Sequence, residues 1–252
     1  PERSVCLLYS NNILPMTLIG DGILELAKIP AEYKLNAKHR IQVDCEKKGK
    51  PHVDPEKVKE FLDVIRYPVY YMDFETCGSV IPLFDNSSPY QQIPFQFSVH
   101  VVQKKGAKPE HFAFLADGTN DPRPEFMARL KDVMGTKGSV IAYNAGFEMG
   151  ILRKCAEVLP KYKKWVDSIE ERIIDLLKPF QAFAYYHPAQ DGSCSIKNVL
   201  PAMTGKSYDD LEIGDGGTAS AEYYRVTFTE DNKDKDKVRR LLEEYCGLDT
   251  MG

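Results

Sequence analysis

The sequence has no excess of positive charge, no long apolar run and no basic-then-apolar stretch at its start. Its formal net charge of −4 over 252 residues argues against a strongly basic protein that coats nucleic acid. Nucleic-acid enzymes stay open, because bound metal ions and a local rim of Lys and Arg can supply the positive field. No run of about 18 apolar residues occurs, so we expect no membrane span. The N-terminus lacks the basic-then-apolar order of a signal peptide. Because the chain begins with Pro1 instead of Met, we expect a preceding segment.

The sequence also lacks any cysteine spacing that is typical of zinc sites or redox motifs. Its six cysteines are scattered, and no two of them form a CxxC pair. This distribution favours reduced thiols in a cytoplasmic protein over a disulfide framework. We interpret Cys77 and Cys246, which lie near acidic residues in the sequence, as packing residues.

Two carboxylates stand two residues apart in an apolar and aromatic stretch, Val69 to Thr76. This stretch predicts a buried strand, on which Asp73 and Glu75 share one face. Two unpaired anions at the end of a core strand repel each other and lose hydration, which is costly without a cation. The pair therefore predicts a hard divalent metal ion, Mg²⁺ or Mn²⁺.

Two further carboxylates lie where helices begin or end. Glu148 falls in the first turn of a helix that directly follows a predicted strand and a small-residue turn. Asp249 follows Tyr245 by four residues on the last helix, so that both continue its apolar stripe. A plain helix glutamate and an exposed aspartate are the alternatives. We interpret Asp175 as a structural acceptor at a strand end.

The pattern of elements divides the chain at residue 67. Residues 1–66 predict a small, mainly helical appendage or the tail of an upstream domain. Residues 67–252 predict three strands in succession and then alternating helices and strands. This order implies an α/β domain with a mixed five-stranded sheet that is covered on both faces.

The motifs, in this order, resemble those of the DEDD superfamily of 3′→5′ exonucleases, and the resemblance covers residues 67–252. They are Asp-x-Glu at 73–75, Asn-Ala-x-Phe-Glu at 144–148 and Tyr-x-x-x-Asp at 245–249. The Tyr is similar to that of the DEDDy branch, and Ser195 to Leu200 resembles the Ser-Leu-x-x-Leu helix of this superfamily. The segment Pro89 to Ser98 also looks like an uncharacterised bacterial family within it, some members of which carry an upstream RecB-like nuclease domain.

The resemblance implies an RNase H-like three-layer fold and a two-metal hydrolysis of phosphodiester bonds in DNA or RNA. Asp73, Glu75 and Asp249 would hold one Mg²⁺ or Mn²⁺ ion, and Asp73 with Glu148 the second. Tyr245 would orient the attacking water by a hydrogen bond. The superfamily usually has Asp at the second motif, so the longer Glu148 departs from the pattern and reaches further.

The expected partner is the 3′ end of a single strand, which needs apolar surfaces for stacking and polar contacts to phosphate. The substrate-binding candidates beside the motifs are Thr76, Asn144, Phe147 and Lys197, and further stacking candidates are Phe84, Tyr90 and Tyr185 or Tyr186. Core packing is the alternative for each aromatic, and a solvated side chain for Lys197. The Gly-rich segment 214–218 indicates either a phosphate-binding loop or, more simply, a loop with a helix N-cap.

Two other functions remain open on the sequence. One is a non-catalytic nucleic-acid-binding or scaffolding module that retains the fold. The other is a metal-dependent phosphohydrolase acting on nucleotides. Because all four acidic positions keep carboxylates and the Tyr is present, the sequence favours an exonuclease.

Overall fold

The computed structural model describes residues 3–10, 13–118 and 120–251. These residues form, in chain order, α1 (Leu14–Gly20), α2 (Ala37–Lys48), β1 (His52–Val53), α3 (Pro55–Asp63), β2 (Val69–Cys77), β3 (Ile93–Val102), β4 (Glu110–Leu115), α4 (Arg123–Val133), β5 (Ser139–Ala142), α5 (Gly146–Val158), α6 (Lys163–Glu170), β6 (Ile173–Asp175), α7 (Leu177–Gln181), β7 (Tyr185–Tyr186), α8 (Ile196–Thr204), α9 (Gly216–Phe228) and α10 (Lys235–Met251). Within this part of the chain, every helix is too short or too polar to cross a membrane.

The chain divides into two compact units. The N-terminal unit comprises Pro1–Val64 and Leu177–Ser207, and the sheet unit comprises Ile65–Leu176 and Tyr208–Gly252. This division differs from the sequence prediction of one continuous domain over 67–252. Residues 177–207 join the N-terminal unit because β7 pairs antiparallel with β1 and the Gln42 amide contacts the Tyr186 hydroxyl.

The sheet unit is an α/β structure around a mixed five-stranded sheet, as the sequence predicts. Its strand order is β4-β3-β2-β5-β6. The pairs β2–β3 and β3–β4 are antiparallel, whereas β2–β5 and β5–β6 are parallel. The parallel pairs follow from the helices that separate these strands in the chain, since a parallel connection needs a crossover.

Helices cover both faces of this sheet. Phe74 and Phe97 extend from one face and pack edge-on against Phe126 of α4, with ring centroids 4.9 and 5.6 Å apart. Because side chains alternate along a strand, Asp73 and Glu75 extend from the opposite face. Across the ladder, Ser98 pairs with Asp73 and Gln96 with Glu75. The helix α10 packs on this polar face of β2 and β3.

Candidate active site

The first two carboxylates lie near the end of β2. Glu75 is buried at 6% exposure, and Asp73 is partly accessible. The β2–β3 register shifts directly after Glu75, between it and Thr76, so the regular ladder ends at this carboxylate. Burial, and then the charges of the three other carboxylates of the motifs, raises the pKa of Asp73 well above its ordinary value. The acidic groups of three distant motifs therefore interact in space.

Glu148 reaches the same place from α5. The turn before this helix holds Asn144 in the left-handed region (φ 67°), and the Asn144 N–H donates to Oδ1 of Asp175 at 3.0 Å. Asp175 is thus the structural acceptor that the sequence predicts. Glu148 is 3% exposed, and its Oε2 has no hydrogen-bond partner in the described residues. Burial raises the pKa of its carboxyl to about 8, and the charges of Asp175 and Asp249 act in the same direction.

Polar contacts from the sheet hold the helix α10 that bears Asp249. Gln96 Nε2 donates to the Leu242 carbonyl oxygen at 2.8 Å. The Thr250 hydroxyl lies 2.6 Å from Ser98 Oγ and 2.8 Å from His100 Nδ1. Since Thr250 is adjacent to Asp249, these bonds hold the last carboxylate against β3, the strand that pairs with the one carrying the first two.

The four carboxylates line one cleft of about 480 Å³ in the sheet unit. Most of the residues predicted from the sequence lie in this cleft: Asp73, Glu75, Glu148, Asp249, Tyr245, Thr76, Asn144 and Phe147. Lys197 belongs to the N-terminal unit, where it lies in the first turn of α8, so its contact with phosphate stays a prediction.

Tyr245 is a buried tyrosine that lines the cleft. It is 4% exposed, and burial together with the charges of nearby carboxylates raises its pKa above the ordinary value. The phenol therefore stays protonated at neutral pH. It can donate a hydrogen bond, but it is a poor general base.

Cys246 takes a position that the sequence interpretation missed. Its Sγ lies 3.6 Å from Oδ2 of Asp73. Three possible ligand atoms lie within 4.8 Å of one another, one each from Asp73, Glu75 and Cys246. The signal was available, because Cys246 precedes Asp249 by one helical turn and so faces the same side of α10.

Tyr208 was also missed as part of the site, whereas the start of α9 lies in the Gly-rich segment 214–218 that the sequence singled out. The Tyr208 hydroxyl donates to Oδ1 of Asp249 from a loop. Asp215 caps α9 by accepting the Thr218 N–H at 2.9 Å, which is the N-cap that the sequence offered as the simpler interpretation. Gly216 in the first turn lines the cleft, and a Cβ there would lie 3.5 Å from Oε2 of Glu75.

A second groove of about 680 Å³ adjoins the acidic cleft. It shares Gln92 and Phe147 with the cleft and runs between the loop 86–92 and α5. Tyr90, 68% exposed, and Phe147, 41% exposed, offer ring surface along it. Among the other stacking candidates, Phe84 packs against Phe228, and Tyr185 and Tyr186 belong to the N-terminal unit.

The donor set of the cleft fits divalent cations. Carboxylate oxygens are the ligands that Mg²⁺ and Mn²⁺ take in proteins. A buried carboxylate oxygen without a partner, Oε2 of Glu148, is costly unless a cation or a proton satisfies it. Asp73, Glu75, Glu148 and Asp249 are the residues that could hold such ions.

The fold and the cleft define an α/β protein with an acidic site on a mixed sheet. Residues 70–195, half of the chain, match the family described as a domain of unknown function, DUF2779, and the chain belongs to this family. It is also similar to the "Uncharacterized protein MG366 homolog" of Mycoplasma pneumoniae (strain ATCC 29342 / M129 / Subtype 1), with 25% identity over 253 residues. That match covers 92% of this chain but 38% of the relative, so the chain spans well under half of the relative's length. No solved structure matches the chain.

Proposed function

We propose that this chain is a metal-dependent 3′→5′ exonuclease that hydrolyses phosphodiester bonds of DNA or RNA. One observation carries the proposal: four carboxylates from β2, α5 and α10, separated by up to 176 positions in the sequence (73 to 249), line one cleft. Grouped buried anions repel one another, so a protein keeps them together where cations bind.

The sheet supports the RNase H-like part of the proposal. Three strands in an antiparallel meander, β2 to β4, are followed by two strands that add in parallel on the other side of β2. The central strand β2 carries the first acidic pair, and the helices that bear Glu148 and Asp249 come later in the chain. This arrangement supports an RNase H-like sheet with its acidic site on the central strand.

The side chains of the cleft fit the roles in phosphodiester hydrolysis. Asp73, Glu75 and Asp249 would hold one divalent ion, and Asp73 with Glu148 a second. When bound, the ions lower the pKa of an attacking water and neutralise charge on the leaving oxygen. Tyr245, which stays protonated, can orient that water by donating or accepting a hydrogen bond.

The surroundings of the cleft favour a single strand as the substrate. Phe147 lies at the junction of the cleft and the second groove, and Tyr90 is exposed further along it. Exposed rings beside a metal site suit unpaired bases, which stack on aromatic faces regardless of their identity. We further infer a cytoplasmic location from the free thiols, and a partner nuclease domain elsewhere in a longer chain, as the greater length of the relative allows.

The test is an assay of end-labelled single-stranded DNA and RNA with Mn²⁺, with Mg²⁺ and with chelator. We expect a ladder that shortens from the 3′ end and disappears with chelator. Asp73→Asn should lower the rate by on the order of 10³-fold or more, as with other preorganised electrostatic groups. Asp132→Asn is the matched control, since Asp132 is an exposed carboxylate on α4 of the same unit.

The alternatives give different results in the same assay. Binding of the strand without cleavage would indicate a nucleic-acid-binding or scaffolding module. Hydrolysis of mononucleotide esters alone would indicate a phosphohydrolase. Cleavage by Asp73→Asn at the rate of the unaltered chain would refute the proposed site.

A further inference from the structure

The thiol of Cys246 lies within a cluster of oxygen ligands. Its Sγ is 3.6 Å from Oδ2 of Asp73, and an oxygen of Glu75 completes a set whose members lie within 4.8 Å of one another. A tetrahedral ion with bonds of about 2.0 Å to oxygen and about 2.3 Å to sulfur separates these two ligands by about 3.5 Å. The spacing of sulfur and oxygen therefore fits one shared ion without movement of the backbone.

A second observation points to a ligand in the cleft that Asp73 and Glu75 line. Oε2 of Glu148 is a buried carboxylate oxygen with no hydrogen-bond partner among the described residues. Glu148 is 97% buried and lines the cleft together with Asp73 and Glu75. It offers a further oxygen donor from another element of the fold.

The position of Cys246 differs from that of the other buried cysteines. Cys77 and Cys155 lie in the same unit and are equally shielded from solvent, at 2% and 1% exposure. Among the described residues, the only group of possible metal ligands that includes a cysteine contains Cys246 and neither of these two. Cys77 and Cys155 are therefore internal controls for Cys246.

We propose that Cys246 is a sulfur ligand of a metal ion held with Asp73 and Glu75, so that the site binds thiophilic divalent ions such as Zn²⁺, Cd²⁺ and Co²⁺ more tightly than Mg²⁺. The inference rests on the proposed metal site but goes beyond it, since the resemblance implies oxygen ligands only. Thiolate donors select soft and borderline ions, whereas Mg²⁺ takes oxygen ligands and keeps its waters. Zn²⁺ should therefore compete with Mg²⁺ or Mn²⁺ for the cleft. Coordination releases the thiol proton to solvent.

Cobalt is the probe that tests the sulfur ligand directly. The full chain, titrated with Co²⁺ under reducing conditions, should develop a near-ultraviolet sulfur-to-cobalt charge-transfer band at one equivalent. Cys246→Ser and Cys246→Ala should abolish this band and lower the affinity for Cd²⁺ about 10-fold or more. Their affinity for Mn²⁺ should change much less. Cys77→Ser should retain both the band and the affinity.

The outcomes separate this inference from the proposed function. If the unaltered chain shows no band, or if the band survives in both Cys246 variants, the sulfur ligand is refuted. The thiol then only donates a hydrogen bond to Asp73. Mn²⁺-dependent cleavage that needs Asp73 would in that case still support the exonuclease. With a Cys246-dependent band but no cleavage of any nucleic acid, the sulfur ligand is supported and the exonuclease is refuted. Even if a variant does not fold, the spectrum of the unaltered chain still tests whether a sulfur ligand binds the metal, because the absence of the band would refute it.

Discussion

The hydroxyl of Tyr208 donates a hydrogen bond to Oδ1 of Asp249, which joins a loop residue to the last carboxylate of the cleft. Tyr208 is 7% exposed, and burial followed by the Asp249 charge raises its pKa above the ordinary value. The phenol therefore remains a donor across the neutral range. It restrains Oδ1 of Asp249, and Asp249 lines the cleft.

Tyr208→Phe should weaken metal binding by about 10-fold, because second-sphere partners of ligating carboxylates typically contribute that much. The hydroxyl is lost, but the ring still packs against Tyr245, whose centroid is 6.2 Å away. Mn²⁺ affinity, measured by calorimetry, checks this. Tyr224→Phe is the control, since Tyr224 lies on α9 outside the residues that line the cleft. Equal affinities in the two variants would show that the hydrogen bond does not orient Asp249.

The buried carboxyl of Glu148 predicts an unusual pH dependence of stability. Its pKa is raised from 4.5 to about 8, so the folded state holds this proton more tightly than the unfolded state does. Unfolding therefore releases the proton between these two pH values, and the free energy of unfolding of the metal-free chain falls as the pH rises through this window. The loss amounts to a few kcal/mol, since a tenfold change in proton affinity corresponds to about 1.4 kcal/mol.

Glu148→Gln removes this titration and keeps the shape of the side chain. In the presence of chelator, the variant should match the original chain near pH 5 and exceed its stability near pH 8. Added Mn²⁺ should reverse the order at pH 8, because it binds the ionised carboxylate. Urea unfolding at the two pH values, with and without Mn²⁺, measures both effects. Glu125→Gln on the exposed face of α4 is the control, and a chelated Glu148→Gln that shows the original slope would contradict the assignment.

The sequence allowed the four carboxylates to be singled out because three of them stand in periodic elements, and Glu148 stands in the first turn of a helix that follows a strand. Asp73 and Glu75 follow the two-residue repeat of a strand, and Tyr245 and Asp249 the four-residue repeat of a helix. The mixed sheet followed from the same periodicities.

The contacts between elements could not be predicted in this way. Tyr208 lies in a loop with no repeat, and its bond to Asp249 depends on how that loop folds back onto α10. Cys246 was on the correct helix face, but its distance from Asp73 depends on the packing of α10 against β2. The assignment of residues 177–207 to the N-terminal unit required the β1–β7 pairing, whose strands have two residues each. Segments this short carry no detectable periodicity.

The second groove predicts a dependence on substrate length. Tyr90→Ala should weaken binding of a single strand of ten or so nucleotides by about 10-fold, since stacking contributes about 1–3 kcal/mol per base. Binding of a dinucleotide, which occupies only the acidic cleft, should change little. Fluorescence anisotropy with both ligands, in Ca²⁺ to prevent cleavage, tests this. Phe112→Ala is the control, because Phe112 is 39% exposed on β4 and lines neither the cleft nor the groove. A loss that is equal for both ligands would exclude the groove as the path of the strand.

The strand that leads to Glu148 begins after a glycine at which any Cβ would clash with the backbone. Gly138 has φ +86°, and a Cβ at this position would overlap the carbonyl oxygen of Pro68, which lies just before β2. Gly106 has a similar φ of +79°, but a Cβ there would meet no atom within 4 Å. Both alanine variants therefore carry the strain of a left-handed backbone, about 1–2 kcal/mol, and only Gly138→Ala adds a clash with backbone. We expect Gly138→Ala to lower the free energy of unfolding by at least about 2 kcal/mol more than Gly106→Ala does in urea titrations. Equal losses of unfolding free energy in the two variants would mean that the backbone at Gly138 can move away from Pro68 without cost. The close approach of Gly138 to Pro68 would then not help to fix the turn before Glu148.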